Sequence, residues 1–300
     1  MDIDAIIQKN VRLLAKHSVK EDSLVPGSHA PLPSIESIKK IISLVKNIIF
    51  TDYFYKRQPE EEIRSYYIGI HMEQLYQELK EQIARGLLFN SDLDEGATPA
   101  KAKVLAAEFI DRLPYIKHLL YTDVEAMFVG DPAATNYGEV IYCYPVVNAM
   151  THYRCAHELH LMGIPVLPRI ITELAHSKTG IDIHPGASIG EYFCIDHGTG
   201  VVIGETCIIG DHVRLYQGVT LGAKSFDLDE NNNPIKGIPR HPIIGDNVVI
   251  YSNASILGRI SIRTNAVIGG NIWLTHSVPP GSKILQSKAV DVSFEDGLGI

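Results

Sequence analysis

Four cysteines in 300 residues, Cys143, Cys155, Cys194 and Cys207, include no C-x-x-C pair. The common zinc and redox motifs therefore find no support, and reduced, mostly buried thiols of a cytoplasmic protein are the expectation. Basic residues are also scarce: 27 Lys and Arg against 35 Asp and Glu give a net charge of -8. A nucleic-acid surface needs the opposite sign, so no nucleic-acid partner is expected, although a local basic patch could still hold an anionic small molecule. Long apolar runs are missing too. The richest helical run, IISLVKNIIF over residues 41–50, carries Lys46 and is too short to span a bilayer. The opening MDIDAIIQKN has no basic segment ahead of an apolar core, so no signal peptide is expected. What is present, 45% apolar and 21% charged residues, is enough for a packed core in one large or two ordinary domains.

Two periods divide the chain. Up to about residue 175 the apolar spacing is helical. SIESIKKIISLVKNIIF places Ser34 as an N-cap and repeats Ile38, Ile41, Ile42, Val45 and Ile48 on one face. EEIRSYYIGIHMEQLYQELKEQIARGLL and AKAKVLAAEFIDRLPYIKHLLYTDVEAMFVG continue in this style, with Pro114 expected to break the second. GDPAAT (130–135) is a loop, VVNAMTHYRCAHELHLMG a helix closed by Gly163 and Pro165, and PGSHAPLPS (26–34) a linker.

From about residue 181 the period is six. Ile183, Ile189, Ile195 and Val201 fall in step, and after a slip of two Ile203, Ile209, Leu215 and Leu221 follow. After a longer break come Ile244, Ile250, Ile256, Ile262, Ile268 and Leu274. Glycine follows many of these markers. Neither a helix nor a hairpin sheet keeps such a period, whereas a hexapeptide β-helix does, each six residues forming a short strand and a corner. The expected architecture is α+β: an all-α domain over 1–178, then a left-handed parallel β-helix built from hexapeptide repeats over 179–285, with a loop extruded at 222–242 and a tail over 286–300. Flat outer faces suggest trimers, with grooves between protomers as natural sites.

Acids and histidines interrupt the rhythm in IDIHPGASIGEYFCIDHGTG (181–200). Asp182 and His197 are fifteen residues apart, a little less than one coil, which would bring the imidazole close above the carboxylate. An Asp that holds one ring nitrogen makes the other a better general base for a hydroxyl. Asp196 is expected to project differently and to read a substrate ammonium. Arg240 offers a planar fork for a carboxylate, and His241 a second imidazole. The set suits a small zwitterion carrying an alcohol. His184 reads as a corner residue, His212 as solvated, and His157, His160 and His176 as structural.

DIHPGASIG, IDHGTGVVIGET, VTLGA and RHP resemble the serine O-acetyltransferases, from about Asp131 to Leu274. The resemblance implies transfer of acetyl from acetyl-CoA to the L-serine hydroxyl, without a metal. His197 matches the family's base, Asp182 its orienting carboxylate, Asp131 and Asp196 its serine-binding acids, and Arg240 and His241 its carboxylate-binding pair. Acetyl-CoA would lie near Gly222, Ala223 and Ala254. The resemblance also implies trimers paired into hexamers, L-cysteine as a feedback inhibitor, and docking of a C-terminal Gly299-Ile300 tail into O-acetylserine sulfhydrylase. The loop before RHP is longer here than is usual in the family, and YGEVIYCYP (137–145) departs from its pattern. Alternatives are another acyl transfer, a β-helical zinc hydratase using His184, His197, His212 and His241, and a scaffold acting through Ile300 alone. No membrane partner is expected.

Overall fold

Ser34 caps the second helix as its hydroxyl accepts from the Ser37 N–H at 3.3 Å in the computed structural model, which describes residues 2–16, 18, 20, 31–55, 60–89, 96, 98–225 and 228–287. The helices are α1 (Ile3–Leu14), α2 (Ile35–Ile49), the single turn α3 (Thr51–Phe54), α4 (Glu61–Leu87), α5 (Thr98–Gly130), α6 (Tyr137–Cys143), α7 (Pro145–Leu161) and α8 (Leu167–Thr179). The apolar face expected of α2 is the buried one: Ile38, Ile41, Ile42, Val45 and Ile48 all lie in the core. Of the expected linker, 31–34 is irregular and 26–30 lies outside the described residues.

Pro114 does not break its helix, contrary to expectation. α5 runs through it. Leu113 and Ile116 are buried on either side. Their burial outweighs the one backbone hydrogen bond that proline removes.

After Thr179, Gly180 turns the chain in the left-handed region (φ 70°) and a parallel solenoid of about five turns begins. Its strands stack in three sheets. Face A holds β1 (Asp182–Ile183), β4 (Val202–Ile203), β7 (Thr220–Gly222), β10 (Ser255–Leu257) and β13 (Trp273–Leu274). Face B holds β2 (Ser188–Ile189), β5 (Ile208–Ile209), β8 (Ile243–Ile244) and β11 (Ser261–Ile262). Face C holds β3 (Cys194–Asp196), β6 (Arg214–Tyr216), β9 (Val249–Ile250), β12 (Val267–Ile268) and β14 (Lys283–Ile284). Every six-residue marker is buried, and Ala187, Val213, Val219, Ala254 and Ala266, two places ahead of a marker, are fully buried. Strand and corner alternate because apolar side chains enter the prism at that period while glycine and asparagine take the corners.

A buried ion pair mounts the solenoid on the helices. Arg154 of α7 grips Asp123 of α5 through two hydrogen bonds, at 2.9 and 3.1 Å. It also donates to the carbonyls of Ile189 (2.6 Å) and Gly190 (2.7 Å). Asp123 accepts in turn from the Phe193 N–H at 3.1 Å. Tyr153 donates to the Ala187 carbonyl at 2.6 Å, and His157 Nδ1 lies 2.7 Å from the Pro185 carbonyl. The first coil is thus fixed against α5 and α7, which decides what faces the corner beyond β3.

Candidate active site

The slip of two residues in the six-residue period is the corner that carries His197. Asp182 lies opposite Val202, a step of twenty residues, whereas Ser255 lies opposite Trp273, a step of eighteen. The longer coil spends its extra residues after β3. There His197 (φ 58°), Gly198 (φ 89°) and Gly200 (φ 80°) all enter the left-handed region. Gly198 is required by space as well, since a Cβ there would meet Ile181 Cδ1 at 2.6 Å. Later turns of the same edge use Asn253 and Asn271 in that conformation. The matching corner of the first coil is Gly200, stacked on Gly218, while His197 is a further non-glycine residue in the left-handed region, with its imidazole left 77% exposed.

His197 borders a cavity of about 380 Å³ together with Asp131, Asp196, Tyr144, Pro145 and Cys194. Asp196 is the carboxylate beside it, with Oδ1 3.7 Å from Nε2. Asp131 comes from the helical region, just past the end of α5. Arg214 of face C holds that end by donating to the Gly130 carbonyl at 2.7 Å. A side chain at Gly130 would collide with the guanidinium, with Cβ only 2.0 Å from Nη2. Asp131 Oδ1 accepts the Ala133 N–H at 2.8 Å, and Oδ2 accepts the Tyr144 hydroxyl. Tyr144 and then Ala133 hold the Asp131 carboxyl below the usual range, and the same contact pushes the Tyr144 phenol up to about 12. The cavity therefore presents two acids and one imidazole, a set suited to an ammonium next to a group that loses a proton. Burial pushes the Cys194 thiol up to about 12, so it is not a nucleophile near neutral pH.

Asp182 is not joined to His197 by a hydrogen bond or ion pair. Asp182 clusters instead with Glu173 and His176 of α8, their ligand atoms all within 4.8 Å of one another. Among the described residues this is the one group with metal-ligand proximity, and it contains none of His184, His197, His212 and His241. His184 is a corner residue that accepts the Gly186 N–H at 3.0 Å, and His212 stacks on Tyr192.

Arg240 and His241 sit at a different edge, between faces A and B, where the extruded loop returns. Arg240 pairs with Glu205 at 2.7 Å. The Thr206 hydroxyl accepts the backbone N–H groups of Arg240 (2.9 Å) and His241 (3.1 Å), and His241 Nδ1 faces the Thr206 N–H at 3.0 Å. Arg259 donates to the carbonyls of Thr206 (2.6 Å) and His241 (3.0 Å). Burial, then the Arg240 charge, brings His241 down to about 4, so it is neutral near pH 7. Within one chain the full width of face A separates this pair from His197.

Gly222 and Ala223 lie half-buried where the loop departs. Gly222 accepts from the Gly258 N–H at 2.9 Å, and Gly258 lines a cleft of about 160 Å³ with Lys224, Ile235, Ile238, Arg240 and Arg259. Three cations among apolar side chains suit a long anionic ligand. Ala254 is placed otherwise: it is fully buried inside the prism, and its carbonyl accepts from the Thr220 N–H at 3.0 Å, so an external ligand meets neither its methyl nor its carbonyl.

Tyr144, Arg214, Glu205 and Thr206 support these groups and were not singled out in the sequence. Glu205 and Thr206 fall in the GET of VVIGET, and Tyr144 in the divergent YGEVIYCYP. Their partners are distant in sequence, and no period marks them.

No protein-family model matches the chain. It is 50% identical over 284 residues to the plasmid serine acetyltransferase of Synechococcus elongatus, covering 92% of this chain and 89% of that one. The solved structure of serine acetyltransferase isoform 3 from Entamoeba histolytica, in complex with cysteine, superposes with a TM-score of 0.72 at 31% identity, over 96% of this chain and 93% of that one. Native serine acetyltransferase 1 of the same organism gives 0.70 at 34% identity, over 88% and 91%.

Proposed function

The chain belongs to the serine acetyltransferase family, and we propose from that premise that it moves the acetyl group of acetyl-CoA onto the hydroxyl of L-serine with His197 as general base. The observation that carries this reading is the single cavity joining His197 to Asp131 and Asp196. The two carboxylates hold the serine ammonium. His197 takes the hydroxyl proton as the serine oxygen attacks the thioester carbonyl carbon. When the carbon–sulfur bond breaks, His197 returns the proton to the departing thiolate, leaving O-acetylserine and CoA. Asp182 orients the imidazole after turning from Glu173 and His176 toward the corner. The thioester supplies an activated acyl group. Gly222 and Ala223, beside the cleft of Lys224, Arg240 and Arg259, are the residues that would lie along its carrier.

Arg240 and His241 bind the serine carboxylate from a neighbouring copy, because one small amino acid does not reach across face A. Exposed Val202, Ile208, Tyr251 and Trp273 on the outer surface of the prism favour such packing. Trimers of residues 179–285, paired through the helices of 1–178, complete the assembly. L-cysteine, with a thiol in place of the hydroxyl, fits the same two half-sites as a feedback inhibitor. The Gly299-Ile300 tail proposed to dock on O-acetylserine sulfhydrylase lies outside the described residues. No helix among the described residues is long and apolar enough to cross a membrane. A cytoplasmic setting suits four free cysteines, three of them buried.

The test is free-thiol release from acetyl-CoA with and without L-serine, for wild type and His197→Ala. Serine-dependent release that falls ~10²–10⁴-fold in the variant is the expected result. Folded wild type that releases no thiol with serine would sink the assignment.

A further inference from the structure

We propose that Tyr144 is a positioning residue for serine, acting through Asp131 by holding its carboxylate ready for the substrate ammonium. The proposal rests on the serine reading of the cavity. Asp131 stands in a short loop past the end of α5, where a carboxylate left alone would sample several rotamers. In the structure both its oxygens are taken. Oδ1 has the Ala133 N–H at 2.8 Å, and Oδ2 has the Tyr144 hydroxyl.

Tyr144 is itself fixed. It is the one residue between α6 and α7 (φ -78°, ψ 123°), and Pro145 after it keeps it extended. Its N–H donates to the Val140 carbonyl and its carbonyl accepts from the Val147 N–H, both at 3.2 Å. From this fixed backbone its side chain lines the cavity shared with Asp196 and His197. A hydroxyl bonded to an ionised partner is a strong, directional contact. Arriving serine then meets a carboxylate already charged and aimed, and loses less freedom in binding. The hydroxyl touches no reacting atom, so its effect belongs in substrate affinity and not in the chemical step.

The experiment is steady-state kinetics on the full chain for wild type, Tyr144→Phe, Asp131→Asn and the double variant, with KM for serine, KM for acetyl-CoA and kcat determined separately. Phe keeps the ring and its packing, and a thermal melt of each variant checks the fold. Tyr144→Phe should raise the serine KM about tenfold, as expected for a hydrogen bond to a charged group. It should leave kcat within about threefold and the acetyl-CoA KM unchanged. In the Asp131→Asn background the same change should have less than about a twofold effect, because its route is already cut. An equal rise in both backgrounds, or no rise in either, overturns the positioning role while the serine reading stands. Wild type without serine-dependent activity overturns both. Should Tyr144→Phe not fold, Tyr144→His, which keeps a ring N–H donor, takes its place: a serine KM near wild type supports the role, and a loss of kcat at unchanged KM overturns it.

Discussion

The His197 corner and the Arg240 corner are built from the same six-residue repeat, yet they differ in almost every physical respect. The first is open, acidic and supplied in part by helices: Asp131, Tyr144 and Pro145 close a cavity over an exposed imidazole. The second is tight and cationic, built wholly from the solenoid and its loop. There Glu205, Thr206 and Arg259 satisfy Arg240 and His241 before any substrate arrives. The contrast fits the roles proposed for the two corners. A general base needs an accessible lone pair and a partner that can move, whereas a carboxylate clamp needs a fork held still. A coil that simply repeats itself would supply the second kind of corner readily. The first needed two extra residues in the turn and a helical region docked against it.

The largest effect expected is the loss of ~10²–10⁴-fold in kcat when His197 is replaced by Ala. An equally large kcat loss in Arg240→Ala, with KM unchanged, would erase the distinction between base and clamp. Next comes the mount. Asp123→Ala leaves Arg154 buried without its partner and should destabilise the protein by about 3–5 kcal/mol, read by denaturant unfolding. Serine affinity should suffer in this variant, because the cavity at the first corner depends on that docking. A small, purely local change would show the solenoid holding Asp131 without help.

Sharing between copies can be read by mixing His197→Ala with Arg240→Ala after dissociation and reassembly. Mixed assemblies should recover part of the activity that neither variant shows alone. No recovery from well-formed oligomers would place both corners in separate work. Glu205→Gln should have a smaller effect, a rise of about two- to fivefold in the serine KM, the scale of a half-exposed ion pair. A lowered KM would mean that Glu205 competes with the substrate carboxylate and does not steady the fork.

The smallest effect is in pH. Burial brings both His184 and His241 down to about 4, from an unfolded value near 6.5. The folded chain resists their protonation, so their contribution is complete above about 6.5 and is lost as pH falls toward about 4. Melting temperature should drop across that window, and less steeply in His184→Asn. The same slope in the variant would remove His184 from the account.

Much of this was legible in the residues alone. The apolar period of six predicts the three faces because each inward side chain must stack on its counterpart one coil away. DHGTG and RHP mark the two corners that carry the proposed base and the proposed clamp. Other readings failed where a distant partner decided the outcome. Pro114 stays helical because its neighbours are buried. Asp182 lies beside Glu173 and His176 of α8, a neighbourhood that residue spacing does not show. Ala254 faces inward, as the small residues two places ahead of a marker do.

The sequence by itself determined the repeat, the change from helix to solenoid, and the chemical types at the two corners, because these depend on local period and on residues close in the chain. Only the tertiary structure decided that Asp131 joins His197, that Tyr144 and Arg214 hold it there, and that Arg240 lies an edge away. Those facts depend on how α5 and α7 dock on the first coil. The docking is set by the buried Asp123–Arg154 pair and its bonds to Ile189, Gly190 and Phe193, contacts between side chains and a backbone that no period records.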